Sequence, residues 1–157
     1  MKNEQKMILF SAGAVFDVVI FDLLLKYAVR WDWLPEMELI NGVLAITKHE
    51  NYGLIGNLAV PYTIIMIMTL MAFAVLIYGY KTSFLQNRFY EVLALAYIAG
   101  GALGNFIDRL MNGYVFDWIL LFNTSIINIA DIAITVGIIA YIGAHYYQEK
   151  LKVHFTK

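Results

Sequence analysis

Two carboxylates, Asp117 and Asp131, stand close together in a chain that is otherwise strongly apolar, and Asn128 lies three positions before the second. Asp131 is flanked by Ile129, Ala130, Ile132 and Ala133, a setting that disfavours a charged carboxylate. Two carboxyl groups brought together cannot both ionise cheaply, so they share a proton and titrate as a pair. Such a pair suits peptide hydrolysis: one carboxylate activates a water as general base, and the other, protonated, polarises the scissile carbonyl and later protonates the leaving amine. Spacing alone leaves a second reading open. A proton or cation pathway also places Asp, Asn and Arg inside a helix bundle.

Other polar residues are spaced to support either chemistry. Asn105 and Asp108 are three apart, and Asn105 and Arg109 four apart, so they form one polar stripe on a helix. Gly100, Gly101 and Gly104 lie beside that stripe, where small residues let another helix approach closely. Asp22 and Lys26 share a helix face and can pair in an i,i+4 arrangement. Asp17 also interrupts the first apolar run and is expected to face a polar partner within the bundle. His49 reads as a solvated loop residue, because no second His or carboxylate stands at metal-ligand spacing; no metal and no organic cofactor is expected.

The elements that must position these groups follow from composition. Of 157 residues, 61% are hydrophobic and 15% charged, with a mean hydropathy of +0.68, so lipid rather than water is the expected solvent. Four apolar runs, about residues 7–28, 60–80, 89–110 and 126–147, are each near the ~20 residues that cross a bilayer core. The expected fold is an all-α membrane protein of four spanning helices in one domain. The first run is too long for a cleavable leader, contains Asp17 and Asp22, and precedes no small-residue cleavage site, so it reads as a retained helix. A net charge of −1 argues against a nucleic-acid partner, and the absence of cysteine excludes disulfides and thiol catalysis.

Lys2, Lys6, Lys81, Arg88, Lys150, Lys152 and Lys157 share the side that holds both termini, which the positive-inside rule puts in the cytoplasm. The opposite face then carries the loops 29–59 and 111–125, with Trp31, Trp33 and Trp118 expected at headgroup level. In the first loop, Asn41-Gly42 is a turn signal followed by a β-like run at 43–47, which predicts a small sheet or hairpin on the membrane surface. In the second, Asn112-Gly113 is a helix stop, and extended backbone is expected over 114–119.

The motifs "FDLLLK", "NYG", "GGALGNFIDRLMNGYVFDW" and "INIADIAI" occur in that order. With them the chain resembles the lipoprotein signal peptidases, or signal peptidase II, which are four-helix membrane aspartyl proteases of bacteria. The resemblance implies Asp117 and Asp131 as the catalytic pair. It implies Asn105, Arg109 and Asn128 as groups that orient the pair or hold the substrate backbone, and Asp22, Lys26, Asn51 and Gly53 as supports of the site or substrate. Asp108 is then a structural partner rather than a third catalytic acid. The implied substrate is a prolipoprotein whose cysteine carries a diacylglyceryl group, cut on the amino side of that cysteine. The implied setting is the bacterial cytoplasmic membrane, in contact with membrane lipid, with the site toward the extracytoplasmic face and the protein a monomer. The loop 29–59 could cover the peptide, with Gly42, Gly53 and Gly56 allowing it to bend. Leu23 replaces the family's usual Gln, Leu54-Ile55-Gly56 replaces a small-aromatic stretch, and Trp118 and Ile127 each replace a Phe. A small transporter, or a silent relative that binds lipoproteins, are the alternatives. The transporter calls for polar residues continuing toward the cytoplasmic half, where the second and fourth runs have few.

Overall fold

A computed structural model describes residues 2–54 and 58–155. It contains four helices, α1 (Asn3–Arg30), α2 (Tyr62–Leu85), α3 (Phe89–Asn112) and α4 (Ile129–Phe155). Four strands, β1 (Met37–Ile40), β2 (Leu44–Asn51), β3 (Val115–Leu121) and β4 (Ser125–Ile127), form one antiparallel sheet in the order β1-β2-β3-β4. All four helices are long and apolar enough to cross a bilayer. The sheet caps the bundle at the end where α1 and α3 finish and α2 and α4 begin. The other end holds both termini and the turn between α2 and α3.

The central helix is α3, which packs against α1, α2 and α4. Its glycines set how closely. A Cβ on Gly100 would lie 3.0 Å from the Cβ of Val18 on α1, and one on Gly101 would collide with the carbonyl oxygen of Ala130 on α4. From the other side, a Cβ on Gly137 of α4 would sit 2.9 Å from the Ala94 carbonyl. Backbones in such contact pack by van der Waals attraction, the force that joins helices in lipid. On α1 the buried stripe runs through Met7, Ser11, Ala14, Val18, Asp22, Lys26 and Val29, a helical spacing that faces the bundle.

The turn signals are used as the sequence indicates. Gly42, at φ +68°, joins β1 to β2, with Val43 N–H donating to Ile40 O at 2.9 Å. Gly113, at φ +81°, ends α3 in the left-handed conformation that lacks a Cβ penalty. The sheet is larger than a hairpin, because β3 continues it and β4 closes it. Residues 126 and 127 belong to β4, so α4 begins at Ile129 and not at 126. Ile126 and Ile127 are apolar and β-branched, and such a short run reads equally well as strand or helix. Ile55 and Gly56, part of the departure in the first loop, lie outside the described residues.

Two expectations are corrected. Trp31 and Trp33 are exposed at the sheet end, but Trp118 is buried against Val29 and Phe116 and does not anchor at an interface. Along β3 successive side chains alternate, so Trp118 faces α1 while Asp117 faces away from it. Asp17 lies about 100° around α1 from Val18 and is exposed on the outside of the bundle, with no hydrogen bond or ion pair among the described residues.

Adding a methyl at Gly101 should lower the detergent melting temperature by the equivalent of about 1–3 kcal/mol of overpacking. Gly13→Ala, where a Cβ meets nothing within 4 Å, should leave it unchanged or higher. Equal melting of the two variants would contradict the α3–α4 packing. The Trp118 Nε1 is buried without a partner among the described residues, an arrangement that costs roughly 1–3 kcal/mol. Trp118→Phe should therefore melt no lower than the natural chain, and a fall of several degrees would show that this N–H is satisfied.

Candidate active site

Lys26 is a buried cation at the sheet end, and its surroundings begin the site. Its Nζ lies 2.6 Å from Asp22 Oδ2 and 2.9 Å from Asp108 Oδ2, and it donates to Asn105 Oδ1 at 3.1 Å. All four residues are buried. A buried ammonium is tolerated only with such company, since desolvation costs several kcal/mol per ion. Asp22 also accepts the N–H of Ala130 at 2.9 Å, and so holds the N-terminus of α4, where a carboxylate complements the helix dipole. Asp108 accepts the N–H of Phe116 at 3.1 Å, which fixes β3 as it leaves α3. Gly104 leaves room for this arrangement: a Cβ there would lie 2.7 Å from Asp22 Oδ2.

Asn128 precedes α4 and caps it. Its Oδ1 accepts the Asp131 N–H at 2.9 Å, and its own N–H donates to Asp131 Oδ2 at 3.2 Å, a reciprocal pair at the first turn. The Asn128 Nδ2 then donates to Asp117 Oδ1 at 2.6 Å and to Asn105 Oδ1 at 3.1 Å. Asn105 Nδ2 donates to Asp131 Oδ1 at 2.8 Å. Two amides thus bridge the two carboxylates, one carried by a strand and one by a helix.

From β2, Asn51 donates to Asp117 Oδ2 at 2.8 Å and accepts the Gly53 N–H at 3.0 Å. Arg109 donates to the Gly53 carbonyl at 3.0 Å and so ties the loop after β2 to α3. Asp117 and Asp131 line one cavity of about 320 Å³ with Asn51, Leu54, Asn105, Arg109 and Ile127. Asp117 is 1% exposed, and its carboxyl is pushed up from 3.8 to about 6. Burial is the main cause and the charge of Asp131 adds to it; the hydrogen bonds from Asn51 and Asn128 and the charge of Lys26 oppose it. Among the described residues no group of three or more His, Asp or Glu is arranged to hold a metal.

A family model described as signal peptidase (SPase) II matches residues 14–147. The chain belongs to the signal peptidase II family. Lipoprotein signal peptidases of Staphylococcus aureus, strains JH9 and Newman among them, are 38% identical to it over 136 residues, covering 82% of each chain. Two solved structures, each described as a bacterial membrane enzyme obtained by the in meso method, share its fold. The one at 2.3 Å has a TM-score of 0.78 and 32% identity, covering 90% of both chains. The one at 1.9 Å has a TM-score of 0.72 and 33% identity, covering 85% of this chain and 90% of that one. The protein is a peptidase and a bacterial multi-pass membrane protein.

In this peptidase the structure brings together the candidate site residues Asp22, Lys26, Asn51, Gly53, Asn105, Arg109, Asp117, Asn128 and Asp131. Of the family departures, neither Trp118 nor Leu23 lines this cavity, and Trp118 packs against Val29 and Phe116. Leu54 lines the cavity itself. His49 is no loop residue, because it lies in β2 directly opposite Asp117 and is partly buried. Its even spacing from Asn51 was the available signal, once residues 49–51 were read as strand.

Because the fold favours the protonated Asp117, its contribution to stability is fully present below pH 3.8 and is lost as pH rises through about 6. The difference between those values corresponds to about 3 kcal/mol. The peptidase should accordingly melt lower at pH 8 than at pH 5 in neutral detergent, and Asp117→Asn should reduce that difference. An unchanged pH dependence in the variant would contradict a proton on Asp117.

Proposed function

We propose that the protein is an aspartic-type endopeptidase that removes the signal peptide from prolipoproteins whose cysteine carries a diacylglyceryl group, cutting on the amino side of that cysteine. The observation that carries this reading is the pair Asp117 and Asp131, joined through Asn105 and Asn128 beside one cavity at the sheet end of the bundle. The pair holds one proton. The ionised carboxylate takes a proton from a water, which attacks the scissile carbonyl carbon; the protonated carboxyl donates to the carbonyl oxygen as it becomes an oxyanion. Collapse of the tetrahedral intermediate breaks the C–N bond, and a carboxyl proton passes to the leaving amine.

The remaining residues hold this geometry. Asn51, Asn105 and Asn128 orient the carboxyl groups, and Lys26 with Asp22 and Asp108 fixes the elements that carry them. Arg109 and Gly53 set the wall along which a peptide backbone lies. All of these come from one polypeptide, so a single copy is the catalytic unit and the whole chain one domain. The acyl chains of the substrate stay in the bilayer beside the helices. Lysines and arginines at the terminal end, and exposed Trp31 and Trp33 at the sheet end, support a cytoplasmic position for both termini and an extracytoplasmic site.

Asp117→Asn and Asp131→Asn should each lower kcat on a synthetic diacylglyceryl prolipoprotein by ~10²–10⁴-fold or more, with melting temperature near that of the natural chain. Cleavage at the natural rate in either variant would sink the assignment. An unmodified chain that binds the precursor without cutting it would favour a silent relative. Asn51 lowers the Asp117 pKa by its hydrogen bond. Asn51→Ala should move the alkaline limb of kcat/KM to higher pH, and a shift to lower pH would contradict the shared proton.

A further inference from the structure

The first helix carries a carboxyl group that its own fold leaves alone. Asp17 stands at the middle of α1, exposed on the outside of the bundle where lipid surrounds it, with no hydrogen bond or ion pair among the described residues. A carboxyl group at mid-span is costly in lipid, and such groups ordinarily meet a polar partner. One turn before it, on the same flank, is Gly13. A Cβ there would meet nothing within 4 Å, so the packing of the chain on itself has no need of a glycine at that place.

The flank can be placed from the contacts of its neighbours. Ala12, Val15 and Val19 line a cavity beside Tyr80 of α2. At about 100° per residue, Asp17 lies roughly 140–160° around α1 from them, on the side away from α2. On α3, Tyr97 is three positions before Gly100, which meets α1, and four before Gly101, which meets α4, so it faces out between those two helices. Tyr97 is 40% exposed, and its hydroxyl makes no hydrogen bond among the described residues. Together with Ala94 and with Gly137, Ala140 and Gly143 of α4, it lines an apolar groove of about 580 Å³. An acceptor without a donor and a donor without an acceptor thus share one lipid-facing flank.

Their depths agree as well. The helices α1 and α3 run in the same direction, and Gly100 packs against Val15 and Val18. Tyr97 is therefore level with Gly13 and about one turn, roughly 5 Å, from Asp17, a distance that a tyrosine side chain spans. Two copies inserted the same way up are related by an axis along the bilayer normal, which keeps every residue at its depth. We propose that this flank pairs with the same flank of a second copy, the Tyr97 hydroxyl of each donating to the Asp17 carboxyl of the other. Gly13 gives the ring room, and the Gly and Ala side of α4 lets the helices approach closely, the way helices join in lipid. A two-fold contact requires a face that complements itself, and this one carries both the donor and the acceptor. None of these residues lines the cavity of the carboxylate pair, so each copy keeps a complete site.

The chain lacks cysteine, so Gln86→Cys, at the exposed turn between α2 and α3, gives a single site for a dye. Donor-labelled and acceptor-labelled full chains are mixed in phosphatidylethanolamine–phosphatidylglycerol vesicles, and energy transfer is followed as lipid is added. Transfer should stay above the level of random proximity until high dilution. In Asp17→Leu and in Tyr97→Phe the association should weaken by about 10-fold, because each change removes two bonds worth roughly 3-fold apiece in lipid. The double variant should be no weaker than either single one. Ala140→Leu fills the groove without touching either polar group and should also weaken the pair, so the flank is tested even if Asp17→Leu impairs folding. Transfer at the random level in the natural chain overturns the pairing, and transfer unchanged in all three variants overturns the flank. Loss in Ala140→Leu alone overturns the hydrogen bond. The measurement uses no substrate, so its outcome is separate from that of the peptidase reading.

Discussion

The ammonium of Lys26 is where the architecture of the sheet end converges, because its partners reach every element that matters there. Asp22 and Lys26 come from α1, and Asp108 and Asn105 from α3. Through its second oxygen Asp22 holds the first turn of α4, and through a shared oxygen Asp108 holds the start of β3. These are the two elements that carry Asp131 and Asp117. An ion cluster of this kind adds little net stability, since desolvation offsets most of its attraction, but removing one member leaves charge stranded in the bundle at a cost of about 3–5 kcal/mol. What it supplies is position: α4 and β3 must start where the cluster has a hydrogen bond to give them.

That position then propagates by hydrogen bonding alone. Asn105 touches both Lys26 and Asp131, and Asn128 touches Asn105, Asp117 and the backbone of α4. Neutral amides suit this place because each offers a donor and an acceptor without adding charge to a crowded site. The close packing of α3 on α4 at Gly101 and Gly137 keeps the helices from sliding, so the amides meet the same carboxylates each time the chain folds.

Much of this was legible in the sequence, for physical reasons. Lipid solvent demands long apolar helices, and it makes every buried polar residue conspicuous; the stripe at Asn105–Arg109 and the pair at Asp22 and Lys26 stood out for that cause. Asn41-Gly42 and Gly113 announced their turns because few other residues accept positive φ. Less visible was β4, since a short β-branched apolar run satisfies both strand and helix. Trp118 was misplaced because an aromatic near a span end looks like an anchor until the alternation of β3 is known. Asp17 sits one residue from the buried stripe, and its five-residue offset from Asp22 already excluded the same face.

The turn at residues 122–124 carries a further consequence. Phe122 and Asn123 are both left-handed, at φ +51° and +52°, and Leu121 pairs with Ser125 across the turn. Neither residue is glycine, so the chain accepts backbone strain to keep this turn short. The turn sets the register of β4 on β3, and a slip of one residue would face every β4 side chain the other way. The stretch from Asp117 to Asp131 therefore behaves as a fixed-length caliper. Insertions or deletions there would alter the site as surely as replacing an acid.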